Sequence, residues 1–262
     1  MAKKLGFALG AGGSRGVAHI GFIKAMEENG IKPDFISGCS MGSVVGSCYA
    51  NGMTPDQMLE EVLGLKYIDI LDVSFNPLGN GALLRAKKMR NKLEQYLGNV
   101  CFDELKIPFV CVSSDLNTGK TILHSGKEKV LDGVVASSSI PGVFKALQTE
   151  DKVLVDGGIT CRVPIEQVKN MGAEVVVAVD VLGSVRPNEK KYNLFALLLR
   201  MIDVMDAKLA SHKKINSPPD LYIEPDLGNM SQYKFKGLKE AYEKGYQTGL
   251  SFVPEIKKLI SE

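Results

Sequence analysis

Three short stretches of this chain have the residue types and spacing that chemistry needs. In Gly38-Cys39-Ser40-Met41-Gly42 one serine stands between glycines two places before and two after it. A sharp strand-to-helix turn can lift such a serine out of the backbone as a nucleophile, and Gly38 and Gly42 keep neighbouring side chains from colliding with it. An ordinary structural turn can also produce the pentapeptide. Gly10-Ala11-Gly12-Gly13-Ser14-Arg15-Gly16 follows the apolar run Leu5 to Leu9 directly and opens onto a helix-like pattern. Exposed amides at the positive end of a helix bind anions, so the loop suits a nucleotide phosphate or the oxyanion of an acyl-transfer intermediate. The dinucleotide fingerprint would place a glycine where Arg15 stands, and no P-loop lysine follows, which weakens the nucleotide reading. Asp156-Gly157-Gly158 ends the clipped apolar run Val153 to Val155. Its carboxylate is well placed for chemistry, and from the tripeptide alone an Asp-Gly turn is an equal reading.

The surrounding pattern says how these stretches meet. Leu5 to Leu9 predicts a buried strand, and Val17, Ala18, Ile20, Ile23, Ala25 and Met26 predict a helix ending near Gly30. A second strand then leads into Ser40, and Gly42, Gly46 and Ala50 give the next helix a narrow face for close packing. Two strand-loop-helix units in succession predict neighbouring parallel strands, with both loops at the carboxyl edge where α/β sheets bind ligands. Thr54-Pro55-Asp56-Gln57 has the form of a capping box opening a helix to about Leu65. Residues Tyr67 to Gly81 mix apolar and turn residues and suggest a flap, and Ala82 to Leu97 reads as an amphipathic helix. Ile107 to Ser113, Lys120 to His124 and Lys129 to Val135 give strand, strand and helix signals. Glu174 to Val181 reads as a parallel strand buried on both faces. Asn193 to about Lys213 is helical and apolar around much of its girth, which suits either packing on most sides, the expectation here, or a lipid-facing lid. Leu221 to Ile223 and a final helix from about Lys236 complete the pattern. With no repeat or low-complexity linker, residues 1–262 read as one domain.

Composition narrows the function classes. The 262 residues are 45% hydrophobic with a formal charge of only +2, so there is no global footprint for nucleic acid. Local basic clusters at Lys87, Lys88, Arg90 and Lys92, at Lys190 and Lys191, and at Lys213 and Lys214 read as solvated helix faces, with contact to anionic lipid as the alternative. Cys39, Cys48, Cys101, Cys111 and Cys161 are odd in number and lack paired metal-ligand spacing, which fits free thiols in a reducing cytoplasm and no metal site. The N-terminal apolar run is broken at once by glycines and reads as a strand, not a signal peptide. No apolar run reaches the ~18 residues of a spanning helix, so any membrane contact is expected to be peripheral, at the inner membrane face.

The loop at Gly10 to Gly16, the pentapeptide around Ser40, the block Ala136-Ser137-Ser138-Ser139-Ile140-Pro141 and Asp156-Gly157-Gly158 stand in that order. Together they resemble the patatin-like phospholipases, particularly the short bacterial members, strongly over residues 5–181 and loosely beyond. Ala11 occupies the first of three places that the family usually fills with glycine. The resemblance implies a three-layer α/β/α sandwich with a mainly parallel central sheet, and hydrolysis of acyl esters of phospholipids and related lipids. It implies Ser40 as nucleophile and Asp156 as its sole side-chain partner, with Gly157 and Gly158 in support. The amides around Gly12, Gly13, Ser14 and Arg15 would form the oxyanion hole, with no metal and no cofactor.

Elementary chemistry agrees and sets one condition. An unperturbed aspartate, with a pKa of ~3.9, is a weak base for a serine hydroxyl, so burial must raise it. Two well-aimed amide donors at ~3 kcal/mol each would supply about 10⁴-fold in rate. A rival is the Ser40, Asp156, His212 order of an α/β-hydrolase triad. His124 on a strand and His19 inside the first helix are the other histidines, the latter reading as a hydrogen-bonded core residue. Ser137, Ser138 and Ser139 lack the glycine frame of a nucleophile. A non-catalytic lipid-binding regulator on the same fold is the remaining alternative.

Overall fold

The computed structural model describes residues 2–66, 69, 72–74, 81–186 and 192–262, the side chain of Lys213 excepted. Strands β1 (Leu5–Leu9), β2 (Phe35–Cys39), β4 (Phe109–Asp115), β9 (Val175–Val179) and β10 (Leu221–Ile223) run parallel in the order β10-β9-β1-β2-β4. β8 (Val153–Asp156) extends the sheet antiparallel to β4, followed by β7 (Leu147–Gln148), and β5 (Thr121–His124) also pairs antiparallel with β4. A separate two-stranded pair joins β3 (Ala82–Leu84) to β6 (Gly142–Phe144).

Alternation along the central strands sorts the side chains into two cores. Leu5, Phe7 and Leu9, with Val175, Val177 and Val179, enter the larger core on one face. Ala8, Val176 and Ala178 enter a smaller one on the other. Helices α1 (Val17–Glu28), α2 (Met41–Ala50), α3 (Pro55–Gly64), α4 (Lys87–Leu97), α5 (Val130–Ser137) and α9 (Leu238–Ser261) contribute to the larger core. The short α7 (Ile165–Asn170) covers the smaller, and α6 (Gly158–Cys161) follows β8. The result is the three-layer α/β/α sandwich with a mostly parallel sheet, reached through right-handed crossover logic.

Most local expectations match. Thr54 Oγ1 accepts from the Gln57 amide and Gln57 Oε1 from the Thr54 amide, the reciprocal capping box. The helix expected over Ala82 to Leu97 begins only at Lys87, because Gly81 and Ala86 both take left-handed φ, +64° and +65°, and isolate Ala82–Leu84 as a strand. Lys92 pairs with Glu61 and Arg90 with Asp132, so that helix's basic face is partly neutralised within the protein. Most of the flap expected over 67–81, and the basic pair Lys190 and Lys191, lie outside the described residues.

The helix expected from Asn193 spans Leu194–Asn216 (α8). It is not packed on most sides: Leu194, Leu198, Met201 and Met205 are exposed. No helix of the described residues is long and apolar enough to cross a membrane.

Candidate active site

β2 ends at Cys39 and α2 begins at Met41, leaving Ser40 alone at the corner with φ +51° and ψ −123°. A non-glycine residue there is strained, and the surrounding contacts must hold it. The flanking glycines are required by backbone approach. A Cβ at Gly42 would lie 2.2 Å from the Leu9 carbonyl oxygen, and one at Gly38 would lie 2.6 Å from Ser43 Cα. The Ser40 amide donates to Ser137 Oγ at 2.9 Å, and its carbonyl accepts from Ser43 Oγ at 2.6 Å. Ser137 and its neighbours therefore act differently from one another. Ser137 braces the corner and Ser139 Oγ donates to the Val135 carbonyl, while the buried Ser138 Oγ has no hydrogen-bond partner among the described residues.

Asp156 reaches the same corner from the end of β8. Ser40 Oγ donates to Asp156 Oδ2 at 2.5 Å, and the Gly158 amide donates to Oδ1 at 2.8 Å. Gly157 is pressed against β4, where a Cβ would come within 2.4 Å of the Val112 carbonyl oxygen. Both glycines after Asp156 thus have physical duties, one as a donor and one as a close contact. Burial pushes the Asp156 carboxyl up to about 6, against the opposing pull of the Ser40 and Gly158 hydrogen bonds. Neighbouring Cys39 is buried, which holds its thiol well above the ordinary range and neutral.

No histidine enters this arrangement. Among the described residues the Asp156 carboxylate accepts only from Ser40 and Gly158. His212 is exposed near the end of α8. The His124 ring bonds Ser113 Oγ at 2.8 Å and Glu128 Oε1 at 2.7 Å. His19 is fully buried, and its Nε2–H donates to the Gly10 carbonyl at 2.8 Å. Burial draws its pKa down to about 4, so the ring is neutral and steadies the start of the glycine loop. The Ser-Asp-His alternative lacks its third member.

The loop itself narrows the set of oxyanion donors. The Ser14 amide donates to the Gln232 carbonyl at 2.9 Å and the Arg15 amide to the Gly12 carbonyl at 3.0 Å. Both are already engaged, which corrects the expectation that all four amides from Gly12 to Arg15 face substrate. Arg15 instead uses its side chain, donating from Nε to the Val181 carbonyl at 2.8 Å. The amides of Gly12 and Gly13 have no acceptor among the described residues, and neither has that of Met41, the residue after the serine. Gly13 takes φ +50° with the Gln232 carbonyl against it, so a side chain is excluded there. Gln232 stands on a distant loop with no motif to announce it, and no signal in the sequence points to its role.

Gly13, Ser40 and Met41 share the wall of a cavity of about 410 Å³, whose lining is otherwise mostly apolar, including Val44, Met58, Leu93 and Phe144. A buried carboxylate behind a strained serine, free amides beside it and an apolar hollow in front form one connected arrangement. The family model for patatin-like phospholipases matches residues 7–169, a span that contains Ser40, Asp156, the glycine loop and most of the cavity lining, with Phe195, Leu199, Gln232, Tyr233 and Phe235 beyond it. The chain belongs to the patatin-like phospholipases. An uncharacterised NTE family protein of Mycobacterium bovis is 34% identical over 182 residues, covering 69% of this patatin-like chain and 50% of that protein. A protein named lysophospholipase nte1 from Aspergillus fumigatus is 27% identical over 285 residues, 97% of this chain and 18% of its own. The chain therefore spans half, or far less, of the length of these curated relatives. Among solved structures, VipD from Legionella pneumophila aligns over 97% of this chain and 67% of its own, at 14% identity and a TM-score of 0.57. The effector ExoU aligns over 96% and 53%, at 12% identity and a TM-score of 0.51. At such identities these two likenesses speak for the fold alone.

Proposed function

We propose that residues 1–262 work as a single acyl hydrolase domain that cleaves carboxylic esters of phospholipids or related lipids through Ser40 and Asp156. The observation that carries this reading is the 2.5 Å hydrogen bond from Ser40 Oγ to the buried Asp156 carboxylate at the strained corner. In the first half-reaction Asp156 accepts the hydroxyl proton as Oγ bonds to the ester carbonyl carbon. The oxyanion so formed takes hydrogen bonds from the amides of Gly12 and Gly13, with Met41 a third donor within the same wall. Collapse of the tetrahedral intermediate breaks the ester bond, and Asp156 returns the proton to the departing alcohol. In the second half-reaction Asp156 takes a proton from water as its oxygen attacks the acyl-enzyme, then gives it back to Ser40 as the fatty acid leaves. A carboxyl raised to about 6 is a stronger base than an ordinary aspartate yet remains mostly ionised at neutral pH.

The apolar cavity lining and the name of the fungal relative support a lipid ester as substrate. Four buried cysteines outside any disulfide support a reducing compartment, so we place the work at the cytoplasmic face of a membrane, by peripheral contact. A fluorophosphonate probe followed by mass spectrometry tests the reading. Label on Ser40, lost in Ser40→Ala and suppressed in Asp156→Asn, is the expected result. Label elsewhere on active protein, or vesicle binding with no acyl release from any ester, would replace the enzyme with a lipid-binding regulator. Thermal protection by nucleotide with no fluorophosphonate labelling would assign the glycine loop to phosphate instead.

A further inference from the structure

α8 turns its acids inward and its hydrocarbon outward. Asp203 accepts from Tyr233 Oη and Gln232 Nε2, each at 2.8 Å, and Asp206 Oδ2 lies 3.6 Å from Nη1 of the buried Arg162. These are the only two carboxylates on the helix. The opposite side carries Leu194, Leu197, Leu198, Met201, Val204 and Met205 at spacings of three and four, with Leu194 74% and Met205 68% exposed. A stripe this exposed costs solvation in water, and nothing polar interrupts it. One turn on, the exposed Lys208 continues this side, whereas Lys214 turns back toward β10, 3.9 Å from Glu224 and over the ring of Tyr222, so the outward side is apolar at its start and carries a cation at Lys208.

This side is also continuous with the cavity mouth. Phe195 is 39% exposed and lines the cavity that contains Ser40, and Leu83 of β3 likewise does both. Among the described residues, Phe195 and Leu83 thus give an apolar molecule held against α8 a hydrocarbon edge to the cavity.

We propose that the outward side of α8 is a docking surface for a lipid layer carrying anionic head groups, an inference that deepens the lipid-ester reading above. The apolar turns enter the head-group boundary, and Lys208 meets a lipid phosphate. Substrate then passes from the layer between Phe195 and Leu83 to Ser40. A second copy of the chain fits this surface less well. Two such sides would offer Lys208 from each copy and no exposed carboxylate of the helix to answer it.

Flotation with vesicles of phosphatidylcholine, with and without phosphatidylglycerol, tests the proposal on the full chain. The wild type is expected to float with the mixed vesicles and more weakly with phosphatidylcholine alone. Met201→Asp together with Met205→Asp should lower the partition coefficient roughly thirtyfold or more, because charge replaces buried hydrocarbon. Hydrolysis of the soluble ester p-nitrophenyl butyrate should be unchanged in that variant, which shows that fold and site are intact. Lys208→Glu should cost roughly fivefold on the mixed vesicles and little on phosphatidylcholine. The chain has no tryptophan, so Met205→Trp supplies a single emitter whose spectrum should shift to the blue when mixed vesicles are added. Flotation of the double variant equal to the wild type, or an unshifted Met205→Trp spectrum, overturns the proposal. So does a wild-type dimer that Met205→Asp splits without changing flotation, since a second copy would then own the surface. Ser40→Ala should float like the wild type. If it does while the wild type cleaves no ester, docking stands and the hydrolase reading falls.

Discussion

Replacing Asp156 by Asn should abolish ester cleavage and at the same time stabilise the protein at alkaline pH. The Asp156 carboxyl sits at about 6 in the fold because burial disfavours its charge, against 3.8 as its ordinary value. A rise of about two pKa units, at 1.36 kcal/mol each, amounts to roughly 3 kcal/mol of folding free energy forgone once the group is ionised. The sign follows from the direction of the shift. With the folded pKa above the unfolded one, the carboxyl adds its full share to stability below about 4 and loses it as pH climbs through about 6. An amide carries no charge to desolvate, can keep the Gly158 donor on its oxygen, and can turn its NH₂ to Ser40 Oγ. Urea denaturation should therefore place Asp156→Asn above the wild type by up to roughly 3 kcal/mol at pH 8 and about half that at pH 5. The rate constant on p-nitrophenyl butyrate should fall by at least about 10²-fold, the lower end for a lost general base. A variant less stable than the wild type at pH 8, or a stability difference that does not change between pH 5 and pH 8, would show that the carboxylate is not desolvated. The base proposed here would then be an ordinary aspartate.

Three further outcomes are expected. Ser137→Ala removes the acceptor of the Ser40 amide. It should cost about 1–3 kcal/mol of stability and, by loosening the corner, about 10- to 100-fold in kcat, so an unchanged kcat would refute a bracing role. Gly42→Ala forces a methyl to 2.2 Å from the Leu9 carbonyl oxygen, where backbone cannot give way, and should lower the unfolding free energy by about 3 kcal/mol or more. Asp206 is pushed up to about 8, chiefly by burial, because the better of Arg162's contacts already go to Asp180. Asp206→Asn should accordingly stabilise the protein by on the order of 3 kcal/mol at pH 6, by little at pH 4 and by more above pH 8, which urea midpoints across that range will register.

The parallel half of the sheet was legible because buried strands announce themselves as short apolar runs. Leu5 to Leu9 and the valine run at 175–179 came through almost to the residue. Ser40 and Asp156 were legible as motifs. Their meeting was not, since it depends on β8 lying against β4 in the reverse direction, a pairing written in no local pattern. Ala82 to Leu84 misled because three residues of good helix propensity sit between two backbone turns that only φ reveals. The engagement of the Ser14 amide by Gln232 was beyond reach for another reason, as a backbone carbonyl leaves no mark on residue type. The outward hydrocarbon of α8 was visible as composition, and only the packed structure shows which side of the helix is bare.

The candidate dyad takes its gauge from the sheet. Cys39 is level with Val112 across one strand boundary, and Ser113, one residue on, is level with Asp156 across the next. Two strand spacings of ~4.8 Å thus set the span that a serine and an aspartate side chain must bridge, and hydrogen-bond ladders on both sides of β4 hold it. The loops that shape the mouth and α8 take no part in that measurement. Insertions or exchanges among them can redirect which lipids enter while the reacting pair keeps its alignment, so substrate range and chemical competence are free to diverge along separate parts of the chain.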